Sequence, residues 1–149
     1  MGRGEKYPGI GFLAASLALA SLAVAQQKRA KVVDVEAAFE RVPVSAARAA
    51  NPYEGNPDAL AAGRKLFLRH CAECHGDDAR GSEKAPNLEA QFLQQAAAGD
   101  LFWMVRNGNL RRGMPAWSRL PDAQIWQIVT HLKSLPPGPP EPAAGSVQK

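Results

Sequence analysis

Cys71-Ala72-Glu73-Cys74-His75 gathers both of the chain's cysteines and one of its three histidines into five residues. On a helical turn, positions 71, 74 and 75 follow the i, i+3, i+4 rule and share a face. Two thiols able to add to vinyl groups, beside an imidazole able to bind iron, form the attachment pattern of a c-type haem. No other feature constrains the fold as strongly, because a chain that carries such a haem must wrap around a large, flat, apolar ring.

Other chemistries use the same residue types. A Cys-x-x-Cys can be a redox dithiol, but those sit in a βαβ pattern that this sequence does not show. A closed zinc site needs four ligands, and with two cysteines the stock is His70, His75 and His131. A plain Cys71–Cys74 disulfide in an exported protein would leave His75 incidental.

The N-terminus reads as an export signal. Arg3 and Lys6 precede an uncharged, mostly apolar run from Ile10 to Ala23, and Ala23-Val24-Ala25 gives a small-x-small cleavage pattern. The run is short for a bilayer span of about 20 residues, although it could serve uncleaved as an anchor in a thinned bilayer. Either way the chain is expected on the exported side of the membrane, in the periplasm, where haem is joined to c-type proteins. Residues 1–25 are therefore assigned as a signal peptide or uncleaved anchor. Its removal lowers the net charge of +4 by one. Arg111-Arg112 is too short for a nucleic-acid stripe, so no nucleic-acid partner is expected.

Residues 26–55 are read as a linker or docking segment, with Val32, Val33, Val35, Phe39 and Val42 as apolar points in a charged, Ala-rich stretch. Residues 137–149 are read as a Pro-rich, disordered tail. Residues 56–136 form the domain. A core of roughly 80 residues is marginal alone, and a covalent haem would enlarge it. Asn56-Pro57 predicts a helix start, and Leu60, Gly63, Leu66, Phe67 and Cys71 recur at helical spacing towards Gly76. A loop follows from Asp77 to Leu88. A short helix is expected over Glu89–Ala98, and another opening at Gly99-Asp100 and ending at Gly108. After a loop over Leu110–Arg119, Pro121-Asp122 opens a last helix with Ile125, Ile128, Val129, Leu132 and Leu135 as its stripe. The pattern is all-α.

His75 offers one axial bond to iron, and Met114 is the candidate for the other. A thioether is a soft ligand, and pairing Met with His raises the potential of a haem. Gly113 lets the backbone come close, while Pro115 pushes Met114 towards an extended conformation and stiffens the loop behind it. Met104, inside a helix between Trp103 and Val105, is read as core. His131 is read as a packed or surface imidazole, and His70 as pointing away from the ring.

These residues resemble the class I cytochrome c family, in particular small bacterial single-haem domains that act as periplasmic carriers or join oxidases and dehydrogenases. The resemblance runs from Gly63 to Leu135. It rests on Gly63-x-x-x-Phe67, Cys71-Ala72-Glu73-Cys74-His75-Gly76, Gly81, Pro86-Asn87-Leu88, Leu101-Phe102-Trp103, Asn107-Gly108, Gly113-Met114-Pro115-Ala116-Trp117 and Ile125-Trp126-x-x-Val129. It implies the all-α cytochrome c fold, with short helices and loops wrapped around one covalent haem c.

The same resemblance implies that the first and last helices cross near Gly63 and Phe67. It implies that the Pro86 carbonyl accepts the Nδ1 proton of His75. Arg80, Trp103 and Trp117 become neighbours of the haem propionates, with hydrophobic wall as the alternative for the tryptophans. His131 stands where the family usually has an aromatic residue. The function implied is one-electron transfer, without enzymatic chemistry, between a redox donor and acceptor. Permanent docking to a periplasmic dehydrogenase or membrane respiratory complex is the alternative. A labile Met114 would instead suit peroxidase or gas-sensing work.

Overall fold

A computed structural model describes residue 35 and residues 37–138. The expected leader, Val32, Val33 and the tail beyond Gly138 lie outside the described residues.

The first long helix, α1 (Pro57–His70), starts where the sequence places it. Asn56 is extended, and its side chain accepts a hydrogen bond from the Ala59 amide at 3.0 Å. Pro57 occupies the first turn, where a missing N–H costs nothing. Asp58 near the start and Arg69 near the end both complement the helix dipole. The helix buries Ala59, Gly63 and Phe67, spaced four residues apart on one face. At Cys71 the chain breaks step, and a second short helix, α2 (Ala72–His75), carries the cysteine–histidine motif.

The last helix, α5 (Asp122–Lys133), buries Ile125, Ile128, Val129 and Leu132. It crosses α1 at Gly63, where an added Cβ would fall 1.9 Å from the Gln127 carbonyl oxygen. Below that crossing, Phe67 (1 % exposed) meets Ile128, Leu132, Ala72 and Ala79 in one apolar cluster. Burial of a ring such as Phe67 contributes about 1.5–3 kcal/mol. The neighbouring face of α5 presents Val129 to Leu93 and Leu101, which come from α3 (Gln91–Gln95) and α4 (Ala98–Asn107). Among the described residues the β structure is one isolated bridge, Asn109 to Met114. The architecture is all-α.

Four boundaries differ from expectation. The helix expected to run from Pro57 towards Gly76 is split at Cys71 into α1 and α2, and α5 ends at Lys133, so Leu135 packs on the Phe67 cluster from beyond the helix. The helix expected over Glu89–Ala98 shrinks to α3, because Ala96 turns extended; Lys133 Nζ then donates to the carbonyls of Gln94 and Ala96. Helix α4 begins at Ala98, ahead of Gly99-Asp100. Gly99 is therefore not an opening residue. It lies in the first turn because the Ala46 carbonyl oxygen sits 1.8 Å from where its Cβ would be.

That contact belongs to the segment ahead of α1. Residues 37–39 are helical, Ala38 is buried, and the Phe39 ring meets the edge of Phe92 at 5.2 Å. A 3-10 turn, Ala46–Arg48, lies against α4. The Asn51 amide donates to Thr130 Oγ1 at 2.9 Å. Val35 and Phe39 pack on the Leu93–Leu101–Val129 cluster. From residue 37 onward the segment is docked on the helices.

Candidate metal centre

The α1–α2 junction turns the cysteine–histidine motif into a single helical turn. The amides of Cys74 and His75 both donate to the Cys71 carbonyl, at 3.1 and 3.0 Å. Cys71 itself ends α1 by donating to the Phe67 carbonyl at 2.8 Å. The motif is thus seated directly beneath the most buried ring of the core. Neither cysteine forms a disulfide. Burial, with Cys74 alongside, pushes the Cys71 thiol up to about 11.

His75 Nδ1 lies 3.1 Å from the Pro86 carbonyl oxygen. That is the partnership the resemblance implied. Donation from Nδ1 leaves Nε2 as the imidazole's remaining donor atom for a metal. Burial pulls the His75 pKa down, against the opposing pull of the Pro86 hydrogen bond. A neutral ring is the form that binds metal. Ser82 Oγ also donates to the Cys74 carbonyl at 2.5 Å, tying the following loop to the motif.

Met114 closes a short hairpin. Its carbonyl accepts from the Asn109 amide at 2.9 Å, and its amide donates to the Asn109 carbonyl at 3.1 Å. Between them lie the 3-10 turn Leu110–Arg112 and Gly113, whose φ of +83° is a conformation that favours glycine. Behind Met114, the Trp117 amide donates to the Val105 carbonyl at 3.1 Å, which holds the strap on α4. The Trp117 ring sits 5.0 Å from that of His70, the residue before Cys71. The strap carrying Met114 therefore returns to the end of the helix that carries the thiols.

Met104 is buried in α4, as core. His131 is buried and packs on Phe67. Trp103 is half-buried on α4, and its carbonyl accepts from the Asn107 side chain. Arg80 Nε lies 3.4 Å from the carboxylate of buried Glu89 and 3.8 Å from that of exposed Asp78. The sequence reading missed Glu89, Ser82, Asn109 and Arg41. Arg41 donates to Asn109 Oδ1 at 2.9 Å. Ser82 and Glu89 lie in and just after a loop whose residues follow no periodic pattern, so no linear signal marks them.

Residues 58–132, half of the chain, match the family described as cytochrome c oxidase, cbb3-type, subunit III. The chain belongs to this c-type cytochrome family. Subunit CcoP of the cbb3-type cytochrome c oxidase from Rubrivivax gelatinosus is 37 % identical over 86 residues, which cover 55 % of this chain and 26 % of that protein. Cytochrome c550 from Pseudomonas aeruginosa is 30 % identical over 90 residues, covering 56 % of this chain and 61 % of its own. Among solved structures, cytochrome cL from Methylophaga aminisulfidivorans superposes with a TM-score of 0.51 at 27 % identity, over 57 % of this chain and 58 % of that one. The cytochrome therefore spans about a quarter of the oxidase subunit it resembles and under two thirds of cytochrome c550.

The family's cofactor is one covalent haem c. The side chains present fit such a group. Two thiols and a neutral imidazole with Nδ1 already committed share one turn, and a thioether on a closed hairpin stands on the strap that returns to it. Soft sulfur with imidazole is a donor set that suits iron.

Proposed function

We propose that this cytochrome carries single electrons between redox partners through a low-spin haem c, which Cys71 and Cys74 would attach and whose iron His75 and Met114 would hold. The bound haem supplies a one-electron Fe(II)/Fe(III) couple. The chain's own residues do the rest. Cys71 and Cys74 fix the ring to the end of α1. Pro86 holds the imidazole in the tautomer that exposes Nε2. The Asn109–Met114 bridge presents the thioether on a loop with few alternative conformations. With His75 and Met114 both holding the iron, no site would stay open for oxygen or peroxide, and the role would be transfer rather than catalysis. Trp103, Trp117 and Arg80 would stand around the ring.

The observation that carries this reading is His75: both thiols share its turn, and Nδ1 is committed to Pro86. The test is the absorption spectrum of the exported protein beside a Met114→Ala variant. Wild type should show the Met–iron charge-transfer band in the oxidised state. The variant should lose it and show a lower midpoint potential. A band that survives the substitution removes Met114 from the site.

The likeness to CcoP supports a second arrangement, in which the domain is held in a membrane respiratory complex. Export by the N-terminal leader, and a place on the periplasmic face, belong to both arrangements. No helix among the described residues is long and apolar enough to cross a membrane. Copurification with an oxidase or dehydrogenase would select the docked form, and a monomeric holoprotein the free carrier.

A further inference from the structure

The hairpin that carries Met114 is open at its tip and tied at its base. Leu110 is 77 % exposed, and the space beside Gly113 is empty to 4 Å. At the base, Asn109 is 9 % exposed, and both of its backbone groups bond to Met114, the carbonyl accepting from the Arg112 amide as well. Its side-chain oxygen accepts from Arg41 Nη2 at 2.9 Å, a contact across 68 positions of sequence. Arg41 sits in a pinned stretch of chain. The Val42 amide donates to the Phe39 carbonyl at 2.9 Å, Phe39 packs on Phe92, and the Ala46 amide donates to the Pro43 carbonyl at 2.8 Å. The Ala46 carbonyl then abuts Gly99 on α4.

We propose that Arg41 is a positioning residue for the Met114 ligand, acting through Asn109; this rests on the reading of Met114 as an axial ligand. A thioether is a neutral donor that exogenous bases can replace. How often it leaves depends on how much freedom the loop gains when it lets go. Two backbone hydrogen bonds make the positions of Asn109 and Met114 inseparable, so a group that fixes Asn109 also fixes the ligand. A guanidinium–amide hydrogen bond is charge-assisted and stronger than a neutral one. The segment ahead of α1 thereby becomes part of the redox site, although it supplies no ligand.

The test titrates the ferric holoprotein with imidazole, following loss of the Met–iron charge-transfer band. Arg41→Ala should bind imidazole about tenfold more tightly than wild type, the low end for loss of a hydrogen bond to a charged group. Arg41→Lys, which keeps a donor, should recover part of the difference. The Arg41→Ala, Asn109→Ala double variant should bind no more tightly than Asn109→Ala alone, because the two residues act in series. A merely structural arm would lower the melting temperature without this pattern. Should Arg41→Ala fail to fold, Arg41→Gln takes its place. Affinity within twofold of wild type, or additive effects in the double variant, overturns the proposal. Met114→Ala is run alongside: if it keeps the band, the ligand reading itself falls, whereas loss of the band with an unmoved Arg41 variant sinks this inference alone.

Discussion

His131 shows how one side chain can set a pH limit on the fold. It is 8 % exposed, at the crossing of the first and last helices, with its ring 5.2 Å from that of Phe67. Burial lowers its pKa from 6.5, and the Arg64 charge pushes the same way. The folded protein therefore holds the ring neutral at a pH where the unfolded chain takes up a proton. Its contribution to stability is complete above about pH 6.5 and is lost as the pH falls towards the lowered folded value, with a slope of at most about 1.4 kcal/mol per unit. Substitution by Phe removes the titration and keeps a ring against Phe67. The melting temperature of His131→Phe should fall less between pH 7.5 and 5 than that of wild type. Parallel curves would show that protonation of His131 is not coupled to unfolding. Ala79 is a residue-scale feature of another kind. It is buried, with φ of +62°, in a region that non-glycine residues seldom adopt. Its methyl group packs in the Phe67 cluster, which accounts for alanine in place of the less strained glycine.

At the scale of elements, the contact between the segment ahead of α1 and the helix α4 turns on Gly99. In an exposed helix, alanine would be favoured over glycine by up to about 1 kcal/mol. Here the Cβ would meet the carbonyl oxygens of Ala46 and Ala49 at 1.8 and 3.0 Å, and both are backbone atoms. The sign therefore reverses. Gly99→Ala should destabilise the holoprotein by about 1–3 kcal/mol, read from chemical denaturation. It should also speed protease cleavage within residues 37–55, since the turn must lift away from α4. Equal stability would mean that the segment does not dock in solution. The sequence made α1 and α5 legible because each repeats one signal many times: Asn56-Pro57 marks a start, and Ile125, Ile128, Val129 and Leu132 mark a face. The cysteine–histidine turn was legible because its donors are adjacent. The docked segment was not, because its attachments are single residues, Arg41 to Asn109 and Asn51 to Thr130, joined across 68 and 79 positions. An Ala-rich stretch carries no periodicity that would reveal them. The early start of α4 was hidden for the same reason, since the role of Gly99 is set by a distant carbonyl.

For the whole molecule, the question is where electrons leave. The hairpin that bears Met114 places Leu110 and Arg111 on an exposed tip. If the haem edge lies beside this hairpin, a partner approaching it meets an apolar side chain flanked by positive charge. Such a field raises encounter rates for anions and lowers them for cations, and salt screens it over about 8–10 Å. Small oxidants of opposite charge can therefore map the exit without a known partner. Oxidation of the ferrous protein by ferricyanide should slow as ionic strength rises, while oxidation by a tris-phenanthroline cobalt(III) cation should quicken. Reversing one charge at the tip, Arg111→Glu, should lower the ferricyanide rate constant several-fold at low salt and flatten its salt dependence. The rates of wild type and variant should converge at high salt, because local field and not the iron's ligands would have changed. A variant whose salt dependence matches wild type would place the electron exit away from the Met114 hairpin, on a face of the cytochrome where Arg111 exerts no field.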